Sequence, residues 1–481
     1  MVERFGLIVL KAKVQPSIFR CRMKNMRGNC GMKVRRILLH TGLIITIIIS
    51  ILFSALIWFN PAMLQHDSKE TTDTGENTTS VSKKTLSDIF LPLQATYNVN
   101  DLQYQLPSSE DYLIGKVSKI MKNWNSGSTS IKSYKSETDY LTFLKQNNVL
   151  LLNYNSPITV KIFNKVFSQK IKGIQNFKFN RIMIPVKNGS YLYLMNDQTR
   201  AVCKVVVNNM KSVKKIQTYL KSNSLEKNKV EIDYYQLNNK IINFYVNSVQ
   251  FPKYSYLYNK TNISSYVSEL LNPSGQTSIT TKLQKNKTIY LDGSDNRLTL
   301  NDTTSAVQYE NYSALDYYDD AGSGKIRTQK LNYYTHLTES LNQLNKIGVA
   351  PDNLRFDEAN SDDGTVTYRS YIAGFPIISD DNYGTYKIKL MSTGGKEYNF
   401  SLNSLQVPVP SSQYKENLPS TYTVLRELEN KGYTLNKIKD IRVAYKWQKN
   451  QSSKLVVDMI PVYYVYADGH WSELESLLSA N

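Results

Sequence analysis

The chain has 481 residues, with 59 Lys and Arg against 40 Asp and Glu, 41% hydrophobic residues and 35 tyrosines. That much apolar and aromatic material excludes an intrinsically disordered chain, and only three cysteines exclude a disulfide-stapled secreted module. The net charge of +19 favours contact with an anionic neighbour, either lipid headgroups or wall polymer.

In chain order, residues 1–36 form a basic tail with ten Lys or Arg against Glu3, and Ile37 to Phe59 is an uncharged apolar run of 23 residues. About 20 such residues cross a bilayer core, so 37–59 reads as a transmembrane helix. The positive-inside rule places the tail in the cytoplasm and the bulk of the chain outside the cell membrane, where nucleic acid is no partner. An uncleaved anchor fits better than a signal peptide, because Phe53 to Met63 offers no A-x-A-like site. Met32-Lys-Val-Arg-Arg immediately precedes the span, so Met32 is an alternative start and residues 1–31 are assigned no role. Within the span, Gly42, Thr46, Ser50 and Ser54 recur at every fourth position, and Trp58 continues the row. Residues four apart share a helix face, and small or hydroxylated residues on one face let membrane helices approach closely. These five are the candidate partner-binding residues.

Residues 60–86 read as a flexible stalk, Ser/Thr-rich from Asp67 onward. Three outer domains are expected beyond it: 87–211, 212–326 and 327–481. In the first, a helix is expected over Glu110 to Trp124, a buried strand over Val149 to Tyr154, and a helix from Val160 to Phe167. A hairpin of Arg181 to Val186 with Tyr191 to Leu194 follows, turning through Asn188-Gly189 as a type I′ turn. In the second, Lys214 to Leu220 and Ile263 to Leu271 read as helices. Val230 to Tyr234, Ile241 to Val246, Thr288 to Leu291 and Leu298 to Leu300 read as strands, with a turn at Asp292-Gly293 and a linker over Asp316 to Lys325.

The third domain is the most regular. Leu331, Tyr334, Leu337, Leu341 and Leu344 keep helical spacing, and Gly348 with Pro351 stops the helix. The alternations from Tyr386 to Leu390 and Tyr398 to Leu402 flank Gly394-Gly395. A helix over Thr421 to Lys431 leads into alternating Ile441 to Trp447 and Leu455 to Val465, and Asp468-Gly469 turns the chain to Trp471. Hairpin strands punctuated by single helices predict an α+β region of antiparallel sheets with helices packed on one face.

Chemistry is sparse in this pattern. His336 falls inside a helix, His470 follows a turn, and Cys203, the one cysteine beyond the membrane, sits in an apolar run that implies burial. No base and nucleophile are paired in the manner of a triad. Asp319-Asp320, Asp357-Glu358, Asp362-Asp363 and Asp380-Asp381 match no calcium loop and read as solvated turns. Gly322-Ser-Gly-Lys325 lacks the first glycine and the hydroxyl of a phosphate loop. No catalytic residue, metal or cofactor is assigned. The tyrosines at 254, 256 and 258, at 317 and 318, and at 333 and 334 read as core in preference to a sugar- or partner-binding surface.

Several segments nevertheless carry a likeness. Met32-Lys-Val-Arg-Arg, Trp58-Phe-Asn-Pro61, Ile289-Tyr-Leu-Asp-Gly293, the run Tyr368-Arg-Ser-Tyr-Ile-Ala-Gly-Phe-Pro-Ile377, and Asp458-Met-Ile-Pro-Val-Tyr-Tyr-Val with Gly469-His-Trp471 together resemble the YycH family. The family pattern has Gly where Ala444 stands and Trp where Tyr463 stands. The resemblance implies a non-enzymatic, single-span regulator of the YycG/WalK sensor histidine kinase of low-GC Gram-positive bacteria, an essential controller of cell-wall homeostasis. It also implies a sister protein, YycI, and control exerted largely through transmembrane helices. The alternative from another class is an extracytoplasmic binder of anionic wall polymer or peptidoglycan.

Overall fold

The computed structural model describes residues 83–481, apart from 108–111, 188, 209–211, 272–274, 276–277, 294–295, 312–330, 349–352, 392–393, 410–413 and 480–481, together with Thr46 and Ser50. The chain divides into two compact units, Met1–Thr79 and Ser80–Asn481. In the first unit Thr46 and Ser50 are helical and exposed; the tail, the remainder of the predicted span and nearly all of the stalk lie outside the described residues. So does the predicted linker over 316–325, with its tyrosine pair, acidic pair and glycine–lysine motif. No described helix is long and apolar enough to cross a membrane.

In the second unit the first sheet is built from β1 (Gln94–Val99), β2 (Leu102–Gln105), β3 (Asn125–Ser133), β4 (Val149–Thr159), β5 (Lys178–Pro185), β6 (Tyr191–Asn196), β7 (Ala201–Asn208), β8 (Val230–Leu237) and β9 (Lys240–Tyr245). Their spatial order is β3-β7-β6-β5-β4-β1-β2-β8-β9, and each neighbouring pair is antiparallel. Strands from both sides of residue 211 therefore share one sheet. The continuous apolar run of β4 is explained by its position at the sheet centre, because Leu150 and Leu152 face one apolar cluster while Val149 and Leu151 face another. The helices at 112–121, 160–166 and 213–220 pack into the first cluster, and the helix at 137–144 into the second. The expectation of helices on one face alone is thus corrected: an apolar residue at every position of a strand demands cover on both sides.

The turn at Asn188-Gly189 is also corrected. β5 and β6 pair with Ile182 opposite Leu194, but Gly189 has no positive φ, which a type I′ turn requires at both central residues. The predicted tight turn is a wider connection.

The second sheet has 14 strands. It begins with four antiparallel strands, 280–284, 287–291, 296–301 and 306–311, and continues through 396–401, 385–390 and 365–372. Phe375–Ile378 then joins it in parallel to Ile438–Lys449, with Ile377 beside Tyr445. That strand and Val456–Ala467 form the longest hairpin of the sheet, and Tyr254–Lys260 and Asn403–Val409 extend it. Ala444 is fully buried with Ile378 and Tyr464, and the Tyr463 hydroxyl donates to Pro419 O at 3.0 Å; both departures from the family pattern are absorbed by packing.

Local signals hold well here. The helix Tyr333–Ile347 starts where Asn332 accepts from Thr335 N and ends at Gly348, whose φ of 74° is left-handed. The predicted helix Ile263–Leu271 has those bounds, and Thr421–Asn430 differs by one residue. Asp468 (φ 50°) and Gly469 (φ 86°) turn the chain so that Ala467 pairs His470. The cores of the two sheets meet where the Phe90 and Phe356 rings touch in a tilted arrangement with centroids 5.0 Å apart.

Candidate functional site

Of the five predicted partner-binding residues, Gly42, Ser54 and Trp58 lie outside the described residues, while Thr46 and Ser50 are helical and exposed. The predicted tyrosine clusters sit largely in packing. Tyr254 meets Tyr445 at 5.7 Å and Tyr258 meets Trp447 at 5.9 Å. Tyr333 and Tyr334 lie beneath the ammonium groups of Lys178 and Lys161, each at 4.0 Å.

The three groups with conventional nucleophile or base chemistry stand in settings that blunt it. Cys203 is buried in β7, and burial pushes its thiol up to about 11. His336 leans on the turn at Gly364; burial lowers its pKa, and its Nε2 is buried without a hydrogen-bond partner. His470 is exposed on its hairpin turn.

A cleft of about 700 Å³ lies between the two sheets, a volume within the range of small-ligand sites. On its first wall, β5 presents Arg181, whose Nε donates to Asp197 at 2.8 Å, Nη1 to Asn153 at 3.0 Å and Nη2 to Ile241 O at 3.1 Å. The Asp197 carboxylate also accepts from the Tyr140 hydroxyl and from Asn180, each at 2.8 Å. Burial works against the Arg181 cation, but the adjacent Asp197 outweighs it and raises its pKa.

The opposite wall is organised by Asp357, which is fully buried on strand Leu354–Asn360. Arg369 Nε donates to it at 2.8 Å, Arg442 Nη1 at 3.0 Å, the Tyr371 hydroxyl at 2.7 Å and Asn155 Nδ2 at 2.6 Å. Burial alone would raise this carboxyl, yet the Arg442 and Arg369 guanidiniums, with the bonds from Asn155 and Tyr371, hold it well below the usual carboxylate range. Arg442 also pairs with Asp440, which Lys240 reaches from β9, and its guanidinium lies 4.3 Å over the Trp471 ring. Asn155 and Lys240 belong to the first sheet and Asp357 and Asp440 to the second, so these bonds tie the two walls together, as does Ala359 N donating to the Ser156 hydroxyl at 3.2 Å.

Asp357 overturns the reading of Asp357-Glu358 as a solvated turn. The pairing with Thr365–Ile372 slips between Phe356 and Glu358, a bulge that turns Phe356 and Asp357 inward in succession. The sequence does hold a signal for the cluster: Arg369 and Arg442 interrupt otherwise apolar strand patterns, and a guanidinium in such a strand needs a buried carboxylate.

Residues 33–224 match the family model described as "YycH protein, N-terminal domain", and residues 241–480 that described as "YycH protein, C-terminal domain". The crystal structure of YycH from Bacillus subtilis is similar to this chain with a TM-score of 0.64 at 15% identity, covering 82% of this chain and 98% of that one. An uncharacterized protein from Eubacterium rectale aligns over 50% of this chain and 88% of its own at 12% identity, with a TM-score of 0.28, too low to bear on the fold. No curated protein matches. With both domain models spanning most of its length in order, this chain belongs to the YycH family, whose role is non-enzymatic regulation in the YycG/WalK two-component system.

Proposed function

We propose that this protein is a single-pass membrane regulator whose transmembrane helix packs on a YycG/WalK-like histidine kinase or on a YycI-like sister protein, with its folded bulk outside the cell. The observation that carries this reading is the four-residue repeat of Gly42, Thr46, Ser50 and Ser54, ending at Trp58, within an uncharged run preceded by ten basic residues. A helix controls a kinase only if it binds the two signalling states with different affinity. Contacts between small residues suit that task, since they change sharply with a few Å of sliding or rotation. Leu at position 42 or 50 is expected to abolish regulation while leaving membrane insertion intact. Crosslinking in intact cells from a photoreactive residue at Ser50, with Ile49 as the off-face control, tests the contact directly. Capture of a kinase or sister protein from Ser50 alone supports it; equal capture from both positions, or none, overturns it.

A binder of anionic wall polymer is the competing reading, resting on the basic surplus of the outer region. The paired cations of the cleft do not favour it, because Arg181, Lys240 and Arg442 are already matched by carboxylates, which leaves the exposed Lys439 as a lining cation without a carboxylate among the described residues. Exchange of the span for an unrelated one separates the two: a polymer binder keeps its function, and a helix-contact regulator loses it.

A further inference from the structure

The first sheet ends on β3, whose outer side meets no strand. Tyr134 N donates to Arg200 O at 3.0 Å, and the register runs back from there through Ser133 opposite Ala201 to Thr129 opposite Val205. Opposed antiparallel residues alternate between exchanging both backbone bonds and exchanging none, so Ser130 and Lys132 spend theirs on β7. Thr129, Ile131 and Ser133 turn their N–H and C=O groups outward, where no described residue meets them. Ile131 lies opposite the buried Cys203, at the margin of the first apolar cluster, and is itself 50% exposed. The edge therefore offers a ladder of donors and acceptors with an apolar side chain at its middle, the template on which another strand pairs.

The other strands that end the order of either sheet are blunted. On β9, Ile241 O accepts from Arg181 and Tyr245 N donates to the Thr421 hydroxyl. Asn403–Val409 carries Pro408, and Thr280–Gln284 is centred on Lys282. β3 has its own restraints, Lys132 and a bulge between Ser126 and Thr129, and these select a register. Laid antiparallel on a second copy about Ile131, residues 129–133 complement themselves. Thr129 of one copy faces Ser133 of the other and Ile131 faces Ile131, so every outward group is used. Between them Ser130 faces Lys132, and no like charges meet; hydroxyl pairs and apolar pairs directly opposite are favourable. Centring on Lys132 instead would oppose two ammonium groups at the pair type with the closest side chains. Centring on Ser130 would set Ser133 against Gly127, inside the bulge.

We infer that this protein pairs with a second copy of itself through β3, joining two nine-stranded sheets edge to edge about Ile131. The occupant is a second copy because a two-fold axis supplies the matching strand by symmetry, hydroxyl to hydroxyl and Ile131 to Ile131, with the lone charge of the segment set against a serine. The inference does not depend on the helix seam: a dimer held by that seam would survive any change on β3, and kinase contact can fail while the β3 pairing holds.

The test is disulfide capture in intact cells that make two versions of the full chain, one with Ser130→Cys and one with Lys132→Cys. Across the proposed pairing these two positions stand about 4.5 Å apart at Cα, whereas Ser130 is roughly 7–8 Å from its own counterpart, at or beyond the reach of a disulfide, about 7 Å. Mild oxidation is expected to give a crosslinked dimer from the mixed chains, well above the yield from either version alone or from the unsubstituted chain. Adding Ile131→Lys to both versions should lower that yield about fivefold, the loss expected when an apolar pair becomes two like charges directly opposite. Ile131→Lys in one version with Ile131→Glu in the other should restore it. Position 131 is half exposed, so circular dichroism should report an unchanged fold in both. Absence of a dimer from the mixed chains, an equal yield from one version alone, or a yield that Ile131→Lys leaves unchanged would each overturn the proposal.

Discussion

Arg181–Asp197 and the Asp357 cluster line the same cleft, but they are wired differently. The first is a one-to-one pair: Asp197 takes its other bonds from Tyr140 and Asn180, and every group on it belongs to the first sheet or the helix packed on it. Asp357 stands instead against two guanidiniums from separate strands of the second sheet and accepts from Asn155 of the first. A closed pair stiffens the hairpin that carries it. An open node with more partners than one carboxylate can neutralise joins pieces that folding must first bring together, and its loss is felt on both sides.

That contrast is breakable by substitution. Asp357→Asn is expected to cost most, about 3–5 kcal/mol in urea or thermal unfolding, since it leaves the buried Arg369 guanidinium without a carboxylate and removes one of the two that face Arg442. Gly364→Ala comes next, at roughly 2–4 kcal/mol. Gly364 has a φ of +73°, and a Cβ there would lie 2.6 Å from Leu390 O, so the change strains the turn joining the strands of Asp357 and Arg369. Arg181→Met should cost about 2–3 kcal/mol, because Asp197 keeps two of its donors. Lys240→Met, which breaks a pair whose lysine is 33% exposed, should cost under about 1 kcal/mol. A larger loss for Arg181→Met than for Asp357→Asn would refute the distinction between closed pair and open node.

Acid sharpens the same comparison with a smaller effect. The lowered carboxyls of Asp357 and Asp440 contribute stability that is present above the unfolded carboxyl value of about 3.9 and lost as pH falls toward their folded values. The gap between the native chain and Asp357→Asn should therefore narrow below about pH 4. Burial lowers the pKa of His336, so a separate, gentler loss is expected as pH falls through the unfolded histidine value of about 6.5. His336→Asn should remove that step without touching the lower one; an unchanged profile would refute its assignment.

Much of this fold is legible along the chain. The helix ending at Gly348 and the hairpin at Asp468-Gly469 are written in residues a few positions apart, where a left-handed cap or a pair of positive φ angles needs no distant partner. The run Val149 to Tyr154 likewise announces a buried strand, though which elements cover its two faces is a question of assembly. Asn188-Gly189 shows the limit of such signals, since flanking strands can connect more widely than a favourable dipeptide suggests. The candidate cleft was invisible for the same reason. Gln198, Asn239 and Asn436 are ordinary loop amides in sequence and become neighbours of one cavity only when two sheets meet.

By itself the sequence determined the apolar run with its row of small residues, the basic N-terminal stretch, the spacing of most helices and strands, and a family likeness distributed over most of the chain. Each of these is a property of composition or of local period, carried by residues close in the chain. Only the tertiary structure decided which charges are spent and which groups remain available. Asp357 meets Arg442 across 85 positions and Asn155 across 202, and whether a carboxylate at such distances is a solvated turn or the centre of a buried network depends on burial, which no local pattern encodes.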